Sequence, residues 1–339
     1  MKKYFKKLLV LLICIIIPVT NLSGCSGSAI TTTKTDFYFD TVITITLYSS
    51  KKSIIDECFK LCDKYEKMFS TTIPDSDISL INSNSKNGEY TTVSNETIEL
   101  LTKSIEYCEL SNGKFDITIG KLTSLWDFGA TTDQNIPNAS DLEKYADKVG
   151  YKQIKIDGNK VLLTNPDISL DLGGVAKGFI ADKLKEYLLS KGVKQGIINL
   201  GGNVLLIGSK KNNENYNIGI QYPFESEGST ITVVSAKDKS IVTSGIYERY
   251  FYKDNILYHH ILDSQTGYPI NNDLLSVTII SSKSIDGDIL STTAFVNGLE
   301  DGIKLIEKLD GIEAIFIDKD YEIYLTSGLT ESDGVVTLK

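Results

Sequence analysis

From Gln195 to Ser281 the chain is a succession of short β-rich runs, at 195–200, 216–221, 230–236, 241–242, 249–253, 257–262 and 275–281, with no helical period between them. Consecutive strands without a crossover helix pair as antiparallel neighbours. This excludes a doubly wound α/β fold, whose strands alternate with helices. Amphipathic helices flank the region: 52–68, 94–111 with Ser94 as N-cap, 141–149 and 177–190 before it, then 286–297 and 300–309 after it. Further strands are expected at 37–48 (FYFDTVITITLY), at 168–172, at 313–318, and at 154–157 and 160–164 around Asp157-Gly158-Asn159, with a closing hairpin at 321–326. A short capped helix is expected at 77–80, a loop–strand–loop at 113–129 and a turn-rich excursion at 131–140. The fold class is therefore α+β, with antiparallel sheets flanked by helices in one body over 37–339 and no internal repeat.

The first residues lie outside that body. Lys2, Lys3, Lys6 and Lys7 precede an apolar run, Leu8 to Val19, too short for a comfortable membrane span. Leu22-Ser23-Gly24-Cys25 then resembles the bacterial lipobox, in which the cysteine takes a diacylglycerol and, with palmitate-type chains, anchors the protein. The expectation is a lipoprotein signal peptide at 1–24, acylated Cys25, a tether at 25–36, and a location on the extracytoplasmic face of the cell membrane. Losing four lysines with the signal moves the formal net charge from −9 to −13. So acidic a body argues against nucleic acid as a partner. Cys58, Cys62 and Cys108 show no zinc spacing and read as buried free thiols.

Four segments carry residues suited to chemistry. Asp171–Gly178 (DLGGVAKG) sits where a strand meets a helix. Glycines there let backbone approach a ligand, and the new helix offers N–H groups to an anion. With Lys177 the set suits a polyphosphate and its metal, although a plain tight turn accounts for the same residues. In GKFDITIG (113–120), Phe115 can cover a ring and Asp116 can accept from a ligand N–H or ribose. Residues 243–250 place Thr243, Ser244 and Gly245 near Arg249, the only arginine of the chain. Residues 258–267 hold both histidines. Neighbours on a strand point to opposite faces, so His259 and His260 cannot share a site. His260 is the candidate because Asp263, Thr266 and Gly267 follow it in a turn. Asp263 either orients the imidazole or bonds the turn backbone. Asp288 and Thr292, four apart on one helical face, offer hard oxygens of the kind Mg²⁺ takes. The alternative is an acid favoured by the helix dipole with Thr292 packed, and Asp286 competes as the carboxylate.

These strings, with FDTVITITLY, INLGGNV and DGDILSTTAFVNG, run in order over nearly all of the chain after the tether. Together they resemble the ApbE family, the FAD:protein FMN transferases. The resemblance implies an ApbE-like, T-fold-related body and a Mg²⁺-dependent enzyme. FMN would pass from FAD to a threonine hydroxyl of a partner flavoprotein, a subunit of an extracytoplasmic electron-transport system, and AMP would leave. It implies FAD contacts from Phe115, Asp116, Lys177, Thr243, Ser244 and Gly245, with His260 by the diphosphate. It also implies Mg²⁺ on Asp288, Thr292 and the Gly174 carbonyl. Splitting a phosphoanhydride asks for placement, charge neutralisation and a base. His260, with a pKa near operating pH, is the expected base, with Asp263 or solvent as its substitute. Two other functions fit the same contacts: a flavin-binding lipoprotein without catalysis, and an FAD diphosphatase that uses water. The chain departs from the family pattern at Phe39-Asp40, where Met-Gly is common, at Ser264 for proline, and at Phe179 for tyrosine.

Overall fold

The computed structural model describes residues 31–48, 52–129, 136–226 and 228–339. Cys25, the signal segment and residues 131–135 of the expected excursion lie outside them. The main sheet has eight strands, each antiparallel to its neighbours. Their order is β1 (Thr31–Tyr38), β2 (Thr41–Tyr48), β6 (Gly196–Leu200), β7 (Asn203–Ile207), β10 (Ser240–Gly245), β13 (Leu274–Ser281), β14 (Glu313–Asp318) and β15 (Ile323–Leu325). A three-stranded sheet joins β3 (Thr91–Thr92), β5 (Lys160–Leu163) and β4 (Ile154–Asp157). A four-stranded one joins β16 (Leu329–Ser332), β17 (Val335–Leu338), β9 (Thr230–Ala236) and β8 (Tyr216–Gln221). A separate hairpin pairs β11 (Tyr250–Lys253) with β12 (Ile256–His259). The helices are α1 (Lys52–Phe69), α2 (Asp77–Asn84), α3 (Asn95–Leu110), α4 (Gly120–Trp126), α5 (Ala139–Ala146), α6 (Ala176–Ser190) and α7 (Ser284–Ile306).

The site is positioned by β10, β13, α6 and α7, which pack together at the centre. β13 reads LLSVTIIS and is buried at every position, the mark of a strand covered on both faces. Caps set helix starts: Ser94 Oγ accepts the Thr97 N–H, as the sequence indicates, and Ser76 Oγ caps the expected short helix by accepting the Ser79 N–H. A second, smaller core gathers Leu122, Trp126, Leu142, Ala146, Phe251 and Leu262. It holds α4, α5 and the β11–β12 hairpin together, and Trp126 Nε1 donates to the Gly267 carbonyl at 2.7 Å.

Several expected elements differ. Residues 37–48 form a hairpin rather than one strand, because Phe39 and Asp40 take φ of 55° and 56°. Two left-handed central residues give the tight turn whose twist matches paired strands. The Phe39 N–H is held there by Glu66 Oε1 at 2.6 Å. β1 thus begins at Thr31, inside the segment read as tether. Residues 113–129 end in helix α4, and 168–172 makes one bridge, Ser169 to Ile119, instead of a strand. Gly201 and Gly202, at φ 60° and 88°, turn directly into β7, whose unbroken apolar run hid it from alternation. The two helices expected at 286–297 and 300–309 are present as the two parts of α7, separated by the non-helical Gly298 (φ 76°, ψ −179°). The closing hairpin is β16–β17 around Asp333-Gly334, while β15 extends the main sheet. Cys58, Cys62 and Cys108 are buried and unpaired, and burial pushes the Cys58 and Cys62 thiols up to about 12.

Candidate active site

β10 presents Ser240, Val242 and Ser244 to α7. Ser240 Oγ meets Ser284 Oγ at 2.9 Å, and Val242 packs on Gly287. Ser244 Oγ lies 2.8 Å from Ser291 Oγ and 3.0 Å from Thr292 Oγ1. Thr243 points to the opposite face, where its hydroxyl meets that of Thr278 at 2.8 Å. Of the trio 243–245, then, only Ser244 reaches the 288–292 turn. Gly245 is buried where a Cβ would strike the Tyr247 ring at 2.6 Å.

The 171–178 turn meets the same helix. Asp171 accepts the Gly173 N–H at 2.8 Å and the Thr123 hydroxyl at 2.7 Å, which shapes the turn and ties it to α4. α6 starts at Ala176 without a side-chain cap, and its Gly178 N–H donates to Asp288 Oδ2 at 2.8 Å. Only glycine allows this approach, since a Cβ on Gly178 would lie 2.4 Å from the Ser284 carbonyl oxygen. A Cβ on Gly174 would sit 3.3 Å from Phe115 Cε2 and 4.0 Å from Thr292 Oγ1. Phe115, Gly174, Ser244, Asp288 and Thr292 therefore converge. Lys177 Nζ donates to the Gly173 carbonyl at 3.3 Å, at the rim of the group.

Asp288 is 6% exposed and, among the described residues, pairs with no cation and has no hydrogen bond on Oδ1. A buried carboxylate without a counter-charge is costly unless a cation joins it. Asp286, the rival, is engaged elsewhere: its Oδ1 accepts from the Tyr107 hydroxyl at 2.6 Å. Among the described residues no cluster of three His, Cys, Asp or Glu could hold a metal. The set at hand is different in kind, one carboxylate with a hydroxyl and a backbone carbonyl. It suits a hard ion that keeps phosphate oxygens and water in its shell, as Mg²⁺ does.

His260 hangs at the base of the β11–β12 hairpin. Tyr250 pairs with His259 in the register, so Arg249 and His260 form the next pair, joined by His260 N–H to Arg249 O at 3.1 Å. His260 Nδ1 lies 3.3 Å from that same carbonyl oxygen. A carbonyl only accepts, so Nδ1 carries the proton and Nε2 keeps a lone pair. Burial first, then His259, Arg249 and Lys177, hold the imidazole well below its usual range. The expectation of a pKa near operating pH is corrected accordingly, and an arriving diphosphate acts in the opposite sense. His259 points away, 5% exposed, with Nε2 3.0 Å from the Ile270 carbonyl oxygen, and burial pushes it down to about 4.

Two expected site residues are occupied by the fold itself. Asp263 makes no bond to His260. Its Oδ1 accepts the Gln265 N–H at 2.8 Å, and its backbone closes the turn with Gly267 and Tyr268. Of the two readings of Asp263, the turn-forming one describes these bonds. Asp116 accepts from Thr118 N and Oγ1 at 2.8 and 2.7 Å and from Tyr151 N at 2.7 Å. It is 6% exposed, and burial raises its pKa against those bonds. It clamps the 113–120 loop and leaves Phe115 as the member of that segment at the site.

The departures from the family pattern find local explanations. Ser264 Oγ donates to the Gly113 carbonyl at 2.9 Å, tying the histidine turn to the Phe115 loop. Phe179 packs edge-on against Tyr65 and Phe69 with centroids 6.1 and 5.8 Å away, a place where a hydroxyl would need a partner. Some contributions lacked any signal in the sequence. Asp182 accepts the Ser284 and Ile285 N–H groups at 2.8 and 3.0 Å and so seats the start of α7. Ser291 likewise acts across a long separation, on Ser244.

A match to the ApbE family spans residues 39–316. The FAD:protein FMN transferase of Klebsiella pneumoniae is 34% identical over 287 residues, 84% of this chain and 88% of that protein. The enzyme of the same name from Treponema pallidum is 29% identical over 94% of this chain and 93% of its own length. Among solved structures, the ApbE protein of Thermotoga maritima superposes with a TM-score of 0.81 at 30% identity, covering 88% of this chain and 97% of that one. The flavin transferase ApbE of Vibrio cholerae does so with a TM-score of 0.78 at 27% identity, covering 88% and 98%. A match of that span, over a site assembled from the same segments, leaves one assignment: this chain belongs to the ApbE family.

Proposed function

We propose that the protein transfers FMN from FAD to a threonine hydroxyl of a partner flavoprotein and releases AMP. The names of its relatives support flavin transfer. The observation that carries the reading onto this chain is the Gly178 N–H to Asp288 bond of 2.8 Å, which locks the 171–178 turn to the 288–292 turn. A dinucleotide's phosphates placed there meet backbone N–H groups, Lys177 and the hydroxyls of Ser244 and Thr292. Phe115 offers a face for a ring.

Mg²⁺, held by Asp288, Thr292 and the Gly174 carbonyl, would neutralise charge on the diphosphate. The acceptor hydroxyl oxygen bonds to the FMN phosphorus as the anhydride P–O bond breaks. The hydroxyl proton passes to His260 Nε2, and AMP leaves with the electron pair of the broken bond. Placement supplies most of the acceleration, and the base contributes about 10²–10⁴-fold. The same proposal includes the anchor. No helix among the described residues is long and apolar enough to cross a membrane, and acylated Cys25 would hold the enzyme at the extracytoplasmic membrane surface, where the acceptor subunit resides.

The test is incubation with FAD, Mg²⁺ and an acceptor flavoprotein, followed by in-gel flavin fluorescence and AMP assay. A fluorescent acceptor band with equimolar AMP is expected. AMP without a labelled acceptor would identify an FAD diphosphatase, and bound flavin without either product a carrier.

A further inference from the structure

We propose that Arg249 is a further catalytic residue whose guanidinium grips the FAD phosphates beside His260. The proposal rests on the flavin-transfer reading for its substrate. Arg249 and His260 are directly opposed across the β11–β12 ladder, so their side chains rise from the same face with Cβ atoms about 4.5–5.5 Å apart. The Arg249 guanidinium is exposed and makes no hydrogen bond or ion pair among the described residues. Lys177, at the start of α6, also acts electrostatically on the same histidine, and both cations act on Glu248. Two positive groups thus act on one neutral imidazole, and one of them, Arg249, is uncommitted among the described residues.

Composition sharpens the point. The chain has 35 basic residues and uses lysine for all of them but this one. Wherever a bare positive charge suffices, lysine serves. A planar fork that spans two oxygens of one phosphate is something only arginine provides. Charge that spreads over phosphate oxygens during transfer is what such a fork stabilises best.

Arg249→Gln and Arg249→Lys both keep the backbone carbonyl that fixes the His260 tautomer, so they test the guanidinium alone. Binding of FAD and of riboflavin is followed by flavin fluorescence, and transfer by labelled acceptor. Arg249→Gln should weaken FAD about tenfold and leave riboflavin unchanged. It should lower kcat by about 10²–10³-fold, and Arg249→Lys should recover FAD binding more than kcat. The groups around His260 are His259, Arg249, Lys177 and Asp263, with Glu248 beyond. Removing one cation raises the imidazole pKa, so the acid limb of kcat/KM moves to higher pH in Arg249→Gln and stays in place in Arg249→Lys. Equal FAD affinity and transfer within twofold of wild type in Arg249→Gln would overturn the proposal. If wild type labels no acceptor, the flavin-transfer reading fails, and the FAD-against-riboflavin comparison alone decides whether Arg249 holds phosphate.

Discussion

Asp288 divides its work between two oxygens. One anchors the Gly178 N–H and the other is uncommitted. Asp288→Asn keeps an acceptor for that N–H while removing the charge. Its melting midpoint should stay close to wild type, and flavin transfer should fall by about 10²–10³-fold with little further loss on adding EDTA. Wild-type turnover with unchanged EDTA sensitivity would detach this carboxylate from the metal. Buried titratable groups also set the acid response. His259 falls from 6.5 to about 4 on folding, so between those values the unfolded chain binds the extra proton and stability declines as pH drops, by about 3 kcal/mol in all. Asp182 rises from 3.8 to about 6, so in the overlapping window the folded chain binds the proton and stability is gained on acidification. The two oppose each other. Asp182→Asn removes the compensating gain, and its melting temperature should fall more steeply than that of wild type between pH 6.5 and 4.

Elements bring the site together through close approach of backbones. α6 and α7 cross where Gly178 has no side chain. Gly178→Ala would press a methyl against the Ser284 carbonyl and Ile285 Cα, at 2.4 and 2.7 Å. Denaturant unfolding should show a loss of about 1–3 kcal/mol, and transfer should drop further than stability alone explains, because the Asp288 anchor moves with the helix. This is also where the sequence was most readable. The glycine pair, the four-residue spacing of Asp288 and Thr292, and the cap at Ser94 are local patterns with local causes. What stayed hidden depends on partners far along the chain. The bonds of Asp116 to Thr118 and Tyr151, and the strand face that turns Thr243 towards Thr278, are of this kind. The Phe39-Asp40 turn was missed because neither residue ordinarily takes a positive φ. β7 was missed because a strand buried throughout shows no alternation.

At the scale of the whole molecule, the body is proposed to work on a leash. Cys25→Ser should shift the protein from the membrane fraction to the soluble extracytoplasmic fraction and abolish labelling by radioactive palmitate, while transfer to a soluble acceptor is retained. Membrane retention of the serine variant would point to another anchor. Both the main sheet and the small sheet join strands far apart in the chain: β2 pairs with β6 through Ile43 and Leu200. β17 lies parallel to β9, and Thr232 bonds to Gly334 across 102 residues. The free side of β9 therefore waits for a strand synthesised much later, and such distant pairing closes slowly. A chain cut short before Val335 would therefore leave the β9 flank bare, an unpaired edge open to strands of other molecules.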